Sequence, residues 1–572
     1  MKKILAMLLA VLMIVGMFAG CAETTTNPTT TAKKEEPGTT TTAEVIPEEL
    51  TLKILCVNNL QGGLDFKDRE NWNVWPAFVK MCEDKNLTIE FECIEKDQYA
   101  NQLKMALAGD VESMPDAFFM QEDYMSTAMR VELIQEGLLY CINDIAKYSD
   151  GTFSTWMETY PAYAARTSYA DGKLYWVGEY QTVTYYGDVV ELGRGAAKNI
   201  QVRLDWLDEL GMTEVPNTLD EIEAYVLACQ EADLNQSGVK DETFLCGLTG
   251  IEASPLHCYY GIPGNFIGFN LQTGDAVSPW YCDGAKDMVA KLIDWLDKGI
   301  IEQDRIGKSS GTTAYRNNNK VAAIDDYSCN NWTLANCVVP EGKSSAILIG
   351  TQPDKTVHPN AYMSNDSAPT MDNRSFAFTS NLSHPAAAAA LLDILASQEY
   401  CDLIQWGTEG ESYAVINGNK TLINGAEDYA NAASTGIMIG NAVFSFGIFS
   451  CMGNVYDIIN DELLCVDADK SGRMQKVFQE SMKAENWDVI YPDQPAAYFA
   501  IPTPEENELL SEKEADLKQL SGEIFVSFLT KERSLDDWDN AIAELEAAGL
   551  KEVLEVYQAR AERFFELSGI GK

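Results

Sequence analysis

The stretch Glu231–Thr243, EADLNQSGVKDET, sets oxygen-bearing side chains on both sides of one glycine, five of them Asp233, Asn235, Ser237, Asp241 and Glu242. Counted from Asp233, side-chain oxygens fall at loop positions 1 (Asp233), 3 (Asn235), 5 (Ser237) and 9 (Asp241), and Gly238 stands at 6, where the chain must turn sharply. Val239 at 7 would offer its backbone carbonyl. An EF-hand places a bidentate Glu at 12, but Phe244 occupies that place and the acid at hand is Glu242, at 10. Hard oxygen donors suit calcium rather than zinc or copper. The same residue types also crowd ordinary surface turns, so spacing alone leaves both readings open.

Signs of catalysis are sparse. No G-x-S-x-G, H-E-x-x-H or G-x-G-x-x-G occurs, and the G-K-S triplets at Gly307 and Gly342 have Glu302 and Cys337 where a phosphate loop needs its leading glycine. The three histidines, His257, His358 and His384, fall in no metal or triad spacing. Asp325 with Asp326, or Glu409 with Glu411, could serve a glycoside hydrolase, which needs two carboxyls across a bond. Among 87 acids such pairs also arise by chance, as solvated or sugar-bonding side chains.

The elements that must position these residues follow from periodicity. LTLKILCV (Leu50–Val57) reads as a strand and the segment around VWPAFVKMCEDKN as a helix. In LTIEFECIE, Ile89, Phe91 and Cys93 alternate with Glu90 and Glu92, the pattern of a half-exposed strand. DQYANQLKMALAGD places Tyr99, Leu103 and Leu107 on one helical face, and MPDAFFM is a short buried strand. Strand and helix in alternation predict a parallel sheet with ligands beyond its carboxyl ends, at NNLQGG and QEDY. A second α/β block follows: DGKLYWVGEY as a strand, NIQVRLDWLDELG as strand into helix, and NTLDEIEAYVLACQEA as a helix opened by a capping box of Thr218 and Glu221. AKDMVAKLIDWLDKGII is helical and KVAAIDDY a strand. The run from SFAFTS to LIQWG reads as strand, turn and one strong helix former, and the tail is helical, with Leu545, Leu550, Val553 and Val556 at heptad-like spacing.

Composition narrows the partners. The 572 residues carry a formal charge of -45, acids outnumbering bases 87 to 42, which argues against a nucleic-acid partner. The opening MKKILAMLLAVLMIVGMFAGC has an export signal's basic start and apolar core, and FAGC resembles a bacterial lipobox, implying cleavage before Cys21 and lipid on its sulfur. Residues 1–20 are then the signal peptide, and 21–49, rich in Thr, Pro and Glu, a disordered tether. The other thirteen cysteines contain no C-x-x-C pair and read mostly as small buried apolar residues.

Here the sequence becomes familiar. VRLDWLDELGMTEVPNTLDEIEAYVLACQEADLNQSGVKDE resembles a segment of the extracellular solute-binding lipoproteins of ABC sugar transporters (family 1), the large oligosaccharide-binding type that includes alginate-binding and LplA-like proteins. DGKLYWVGEY, GTEGESY (Gly407–Tyr413) and the helical ending are similar to the same group, in the same order. The resemblance implies an α/β, two-lobe periplasmic-binding-protein-like (type II) fold with a hinge and C-terminal helices. Lobe 1 would comprise 50–175 plus 365–440, and lobe 2 would comprise 176–364 plus 441–572. It implies capture of an oligosaccharide between the lobes, delivery to an ABC permease and its ATPase, a monomer, and a lipid anchor on the outer face of the cytoplasmic membrane. It also implies structural calcium held by Asp233, Asn235, Ser237, Val239, Asp241 and Glu242, with ligands at positions 1, 3, 5, 7, 9 and 10.

Sugar sites combine flat aromatic faces with planar polar groups. At strand ends and the hinge the expected residues are Asn58, Gln61, Gln121 and Glu122, then Trp176 and Glu179, then Arg203, Tyr327, Trp332 and Trp406. Arg203 could equally pair with a neighbouring acid. The same fold holding a peptide or another small polar solute, and a surface glycan hydrolase or lyase, are the competing readings.

Overall fold

The computed structural model describes residues 50–58, 66–72, 74–109, 114–120, 125–161, 164–165, 168–178, 180–185, 188–190, 198–309, 315, 318–327, 348–350, 358–362, 375–410, 413–416, 419–422, 437–438, 441–442, 452–458 and 498–569. Cys21, Gln61, Gln121, Glu122, Glu179 and Trp332 lie outside the described residues, as do the side chains of Tyr327 and Trp406.

Alternation of apolar and charged residues builds the first sheet. Leu50–Val57 pairs in parallel with Leu87–Ile94 on one side and Ala117–Met120 on the other. Ser375–Phe378 then pairs antiparallel to Ala117–Met120, and Trp176–Val177 antiparallel to Ser375–Phe378. Leu87–Ile94 is the edge, with Glu90 and Glu92 exposed, as its pattern predicts. The helix Lys96–Leu107 buries Tyr99, Leu103 and Leu107. DGKLYWVGEY is two strands and not one: Trp176–Val177 closes the first sheet, and Tyr180–Tyr185 enters a separate three-stranded sheet with Asp188–Val190 and Met452–Ile458.

The run after Ser375–Phe378 also divides, into helices Pro385–Leu395 and Gln398–Trp406. Ser397 ends the first, its hydroxyl donating to Ile394 O (2.7 Å), and caps the second by accepting from Tyr400 N (3.2 Å). Pro385–Leu395 is buried on nearly every side, which the small alanines permit. Its one acid, Asp393, accepts from Ser149 Oγ (2.5 Å), Asp150 N (2.9 Å) and Phe153 N (2.9 Å). The carboxylate thereby serves the start of helix Thr152–Thr159, whose own cap is Gly151.

The second sheet runs Leu348–Gly350, Lys198–Arg203, Val321–Tyr327, Thr243–Leu245; only the last pairing is parallel. The molecule thus has two α/β lobes with separate cores. Phe78, Phe153 and Leu392 belong to the first core, Tyr225, Trp280 and Trp295 to the second. The tail forms helices Pro504–Leu529, Trp538–Ala547 and Leu550–Ser568, whose Leu517, Phe528, Leu545 and Val553 complete the second core.

Helix Leu219–Ala232 opens with the expected box: Thr218 Oγ1 accepts from Glu221 N (3.2 Å), and Glu221 Oε2 accepts from Thr218 N (3.1 Å). Glu223, on the same helix, receives Lys291 Nζ (2.8 Å), Lys298 Nζ (2.5 Å) and Trp295 Nε1 (2.9 Å) from helix Ala285–Asp297 and the residue after it. Burial raises its carboxyl, but these hydrogen bonds overcome that and hold it down to about 2. Thr218→Ala is expected to lower the stability of this lobe by ~1 kcal/mol, read as a shifted denaturation midpoint; an unchanged midpoint would show that the cap is not formed in solution.

Candidate functional site

Beyond the carboxyl end of the first sheet the chain turns at Asn58, which is buried. Its amide donates through Nδ2 to Glu95 Oε1 (3.1 Å) and accepts at Oδ1 from Lys67 N (3.1 Å). Its backbone N donates to Ile94 O (2.7 Å), and its carbonyl accepts from Phe66 N (3.2 Å). Asn58 therefore joins Phe66 and Lys67 to its own strand end and to the neighbouring strand at Glu95. An unpaired strand-end amide beside Glu95 is satisfied most cheaply within the fold.

At the far side of the same sheet Trp176 is 2% exposed, and its indole Nε1 is buried without a hydrogen-bond partner among the described residues. The Arg130 guanidinium lies 5.5 Å from the ring. This arginine, also buried, belongs to helix Thr127–Gln135, which Ser126 caps. Sequence reading missed Arg130; the available signal was a charge inside the apolar run MRVELI. Trp176 packs with Phe118 and Met120 in a core cluster of the first lobe, so the aromatic expected at the ligand is a buried core side chain.

Arg203 ends strand Lys198–Arg203 and precedes helix Leu204–Glu209, as expected from RLDW. It is wholly buried. Nε and Nη2 donate to Asp205 Oδ1 (3.1 Å) and Oδ2 (2.6 Å), Nη1 donates to Asn319 Oδ1 (2.6 Å), and the guanidinium stacks 3.8 Å over the Trp206 ring. The expected ligand-facing cation is instead a buried ion pair, the acid-pairing alternative. A two-residue spacing across the strand-to-helix turn brings fork and carboxylate face to face. Tyr225 Oη, donating to Ala322 O (3.2 Å) and accepting from Arg203 N (3.3 Å), ties this hub to helix Leu219–Ala232 and strand Val321–Tyr327.

The oxygen loop closes on itself. Asp233 caps its helix with φ +49°, Gln236 has φ +59° and Gly238 φ +79°, three left-handed residues that bend the chain into a cup. The Asp233 carboxylate accepts from Gly238 N (3.2 and 3.1 Å). Asp241 Oδ1 accepts from Asn235 Nδ2 (2.8 Å), the single Ser237 hydroxyl proton has Asp241 Oδ1 (2.8 Å) and Val239 O (2.9 Å) as alternative acceptors, and Glu242 Oε1 accepts from Asn235 N (3.1 Å). Lys320 Nζ stands 3.1 Å from Asp241 Oδ2. Glu242 is 0% exposed and its Oε2 is buried with no partner among the described residues; burial, with Asp241 and Asp233 adding, raises its carboxyl above the ordinary range.

Among the described residues no three His, Cys, Asp or Glu side chains gather as a metal cluster. The loop set is mixed: three carboxylates, an amide, a hydroxyl and a carbonyl, already within hydrogen-bond reach of one another. An orphaned carboxylate oxygen beside two further acids is the defect that a hard cation repairs, so these residues fit calcium.

Asp325 and Asp326 are consecutive on strand Val321–Tyr327, paired with Ile200 and Asn199. The side chain of Asp326 lies outside the described residues. Glu409 is exposed and Glu411 lies outside the described residues. Tyr327 ends its strand and Trp406 its helix, each at an element terminus.

No protein-family model matches the chain, and no curated protein matches it in sequence. Solved structures do. The alginate-binding protein AlgQ2 without calcium ion aligns with TM-score 0.62 at 16% identity, over 90% of this chain and 98% of that one. A solute-binding protein associated with an HMO-binding ABC transporter of Bifidobacterium longum infantis aligns with TM-score 0.61 at 18%, over 90% and 99%. The S. pneumoniae ABC-transporter substrate-binding protein FusA, as an EF-hand mutant in complex with fructo-nystose, aligns with TM-score 0.59 at 16%, over 90% and 99%. At these identities the likeness shows a shared fold, and the chain spans nearly the whole of each.

Proposed function

We propose that this chain is the substrate-binding lipoprotein of an ABC importer: it captures an oligosaccharide between its two lobes and hands it to a permease. The supporting observation is full-length agreement of a two-lobe α/β fold with several proteins named as sugar binders of such transporters. Asn58 joins the end of its strand to Phe66 and Lys67, at the far end of the connection that carries Gln61. Gln121, Glu122 and Glu179, with Trp332, with Tyr327 at the end of its strand and with Trp406 at the end of its helix, would supply planar amides and carboxylates for hydroxyls and aromatic faces for pyranose rings.

Binding residues on two lobes give closure its energy: a ligand that touches both stabilises the closed state by its contacts to the second lobe alone. Calcium in the Asp233–Glu242 loop would neutralise the cup and stiffen the second lobe without touching solute. Lipid on Cys21 and the 21–49 tether would hold the lobes near a permease at the outer face of the membrane.

The test is thermal unfolding of the purified chain against neutral and acidic oligosaccharides. A ligand at a hundredfold over its dissociation constant is expected to stabilise the fold by about 2.7 kcal/mol, leaving the sugar intact. Consumption of the sugar would overturn the reading in favour of an enzyme, and a response to peptides alone would replace the solute class.

A further inference from the structure

Two thiols lie side by side beneath the strand-end loop. Cys56 and Cys93 are direct partners in the parallel register of Leu50–Val57 with Leu87–Ile94, and their side chains share one face. Cys56 Sγ donates to Cys93 Sγ across 3.4 Å. Neighbouring strands run about 4.8 Å apart, inside the span of roughly 4.4–6.8 Å between Cα atoms that a disulfide bridges. A small side-chain rotation therefore suffices to bring the sulfurs together.

The two are not equivalent. Cys56 is fully buried, whereas Cys93 on the edge strand is partly open to solvent. The hydrogen bond from Cys56 pulls the Cys93 thiol down to about 7; burial opposes this, and the charges of Arg69 and Lys67 add to the lowering. Arg69 is fixed where it acts, its guanidinium 5.3 Å from the rings of Trp75 and Phe91, with Nη1 donating to Phe66 O (3.3 Å). The same hydrogen bond, followed by burial, pushes the Cys56 thiol up. Attacker and resolver are thus distinguished by geometry: Cys93 is the half-buried residue of the edge strand, and Cys56 is its fully buried partner on the inner strand.

We propose that Cys56 and Cys93 form a dithiol–disulfide couple that reacts with low-molecular-weight disulfides, the closed form fastening the edge strand to its neighbour beneath the loop braced by Asn58. The Cys93 thiolate attacks one sulfur of RS–SR, whose S–S bond breaks, and the released RS⁻ takes a proton from solvent. Cys56 loses its proton to water and its thiolate attacks the Cys93 sulfur of the mixed disulfide, displacing the second RS⁻, which is protonated in turn. Two protein thiols are oxidised by two electrons, and the reagent disulfide is reduced to two thiols. The clasp is independent of what the cleft binds. Because Asn58 and Glu95 each follow a bridged cysteine by two residues, it fixes the spacing of the two strand ends from which the loop springs.

The experiment equilibrates the full chain with oxidised and reduced glutathione, quenches with acid, alkylates and maps peptides by mass. Expected are a single linked pair joining Cys56 to Cys93, with both sites losing label together, and Cys93 alkylation at least ~10-fold faster than that of buried Cys82 in the reduced chain. Cys56→Ser is expected to trap glutathione on Cys93, and Cys93→Ser to leave Cys56 unreacted. A glutathione adduct persisting on Cys93 of the parent chain, a bridge to any other sulfur, or Cys93 reacting no faster than Cys82 would each overturn the proposal.

Discussion

Asp205→Ala is expected to lower the unfolding free energy of the second lobe by about 3–5 kcal/mol, the cost of leaving a buried charge uncompensated. Arg203 would keep its stack on Trp206 and its bond to Asn319, but two donors would face a cavity where water cannot reach them. Most of the loss comes from the stranded guanidinium, since Coulomb attraction and desolvation nearly cancel in the intact pair. The double replacement Arg203→Met with Asp205→Leu is therefore expected to recover most of the stability, a result an additive view of the two side chains does not give. Hydrogen exchange locates the effect: amides of Lys198–Arg203 and Val321–Tyr327 lose protection, while those of Leu50–Val57 in the other core keep theirs. A loss under ~1 kcal/mol for Asp205→Ala, or one spread evenly over both sheets, would show that the pair is open to water.

This hub also marks the limit of what sequence reveals. RLDW shows an arginine two residues from an acid at a strand-to-helix turn, and ligand contact and acid pairing fit it equally. Asn319, over a hundred residues away and held at φ +54°, decides between them by filling the third donor direction. Period-2 and period-3.6 patterns are local, so the strands Leu50–Val57 and Leu87–Ile94 and the helices Lys96–Leu107 and Leu219–Ala232 were legible with their faces. Breaks that depend on one residue were harder. Ser397 divides a run of excellent helix formers by capping, and the chain leaves the first sheet after Val177. Asn58 was legible as a strand-end residue, but its commitment to Glu95 and Lys67 was not, because only the parallel register sets Glu95 beside it. Arg130 and Trp176 met through folding alone, one on a helix and one on a closing strand.

The oxygen loop is the one feature for which sequence and structure make opposite demands of the same residue. By the family resemblance Glu242 completes a calcium set; in the fold it is a buried carboxylate with one oxygen bonded to Asn235 N and the other to no group among the described residues. Without a cation that oxygen costs stability, because two more acids stand near it and Lys320 is taken up by Asp241 and Glu302. With one, the same crowding becomes binding energy. Glu242→Gln keeps the acceptor for Asn235 N and removes the charge. In chelator the variant is expected to melt at or above the parent, because a neutral amide is cheaper to bury than a carboxylate. With calcium at a hundredfold over its dissociation constant the parent is expected to gain about 2.7 kcal/mol and the variant little, so the order of the two melting curves reverses. The gain belongs to the second lobe, where Lys320 and Asn319, adjacent in the chain, connect Asp241 to the Arg203 hub. Parallel curves for parent and variant under both conditions would sink the calcium assignment and leave an acidic turn. A reversal would establish that a chain showing no catalytic motif holds a metal to finish its fold.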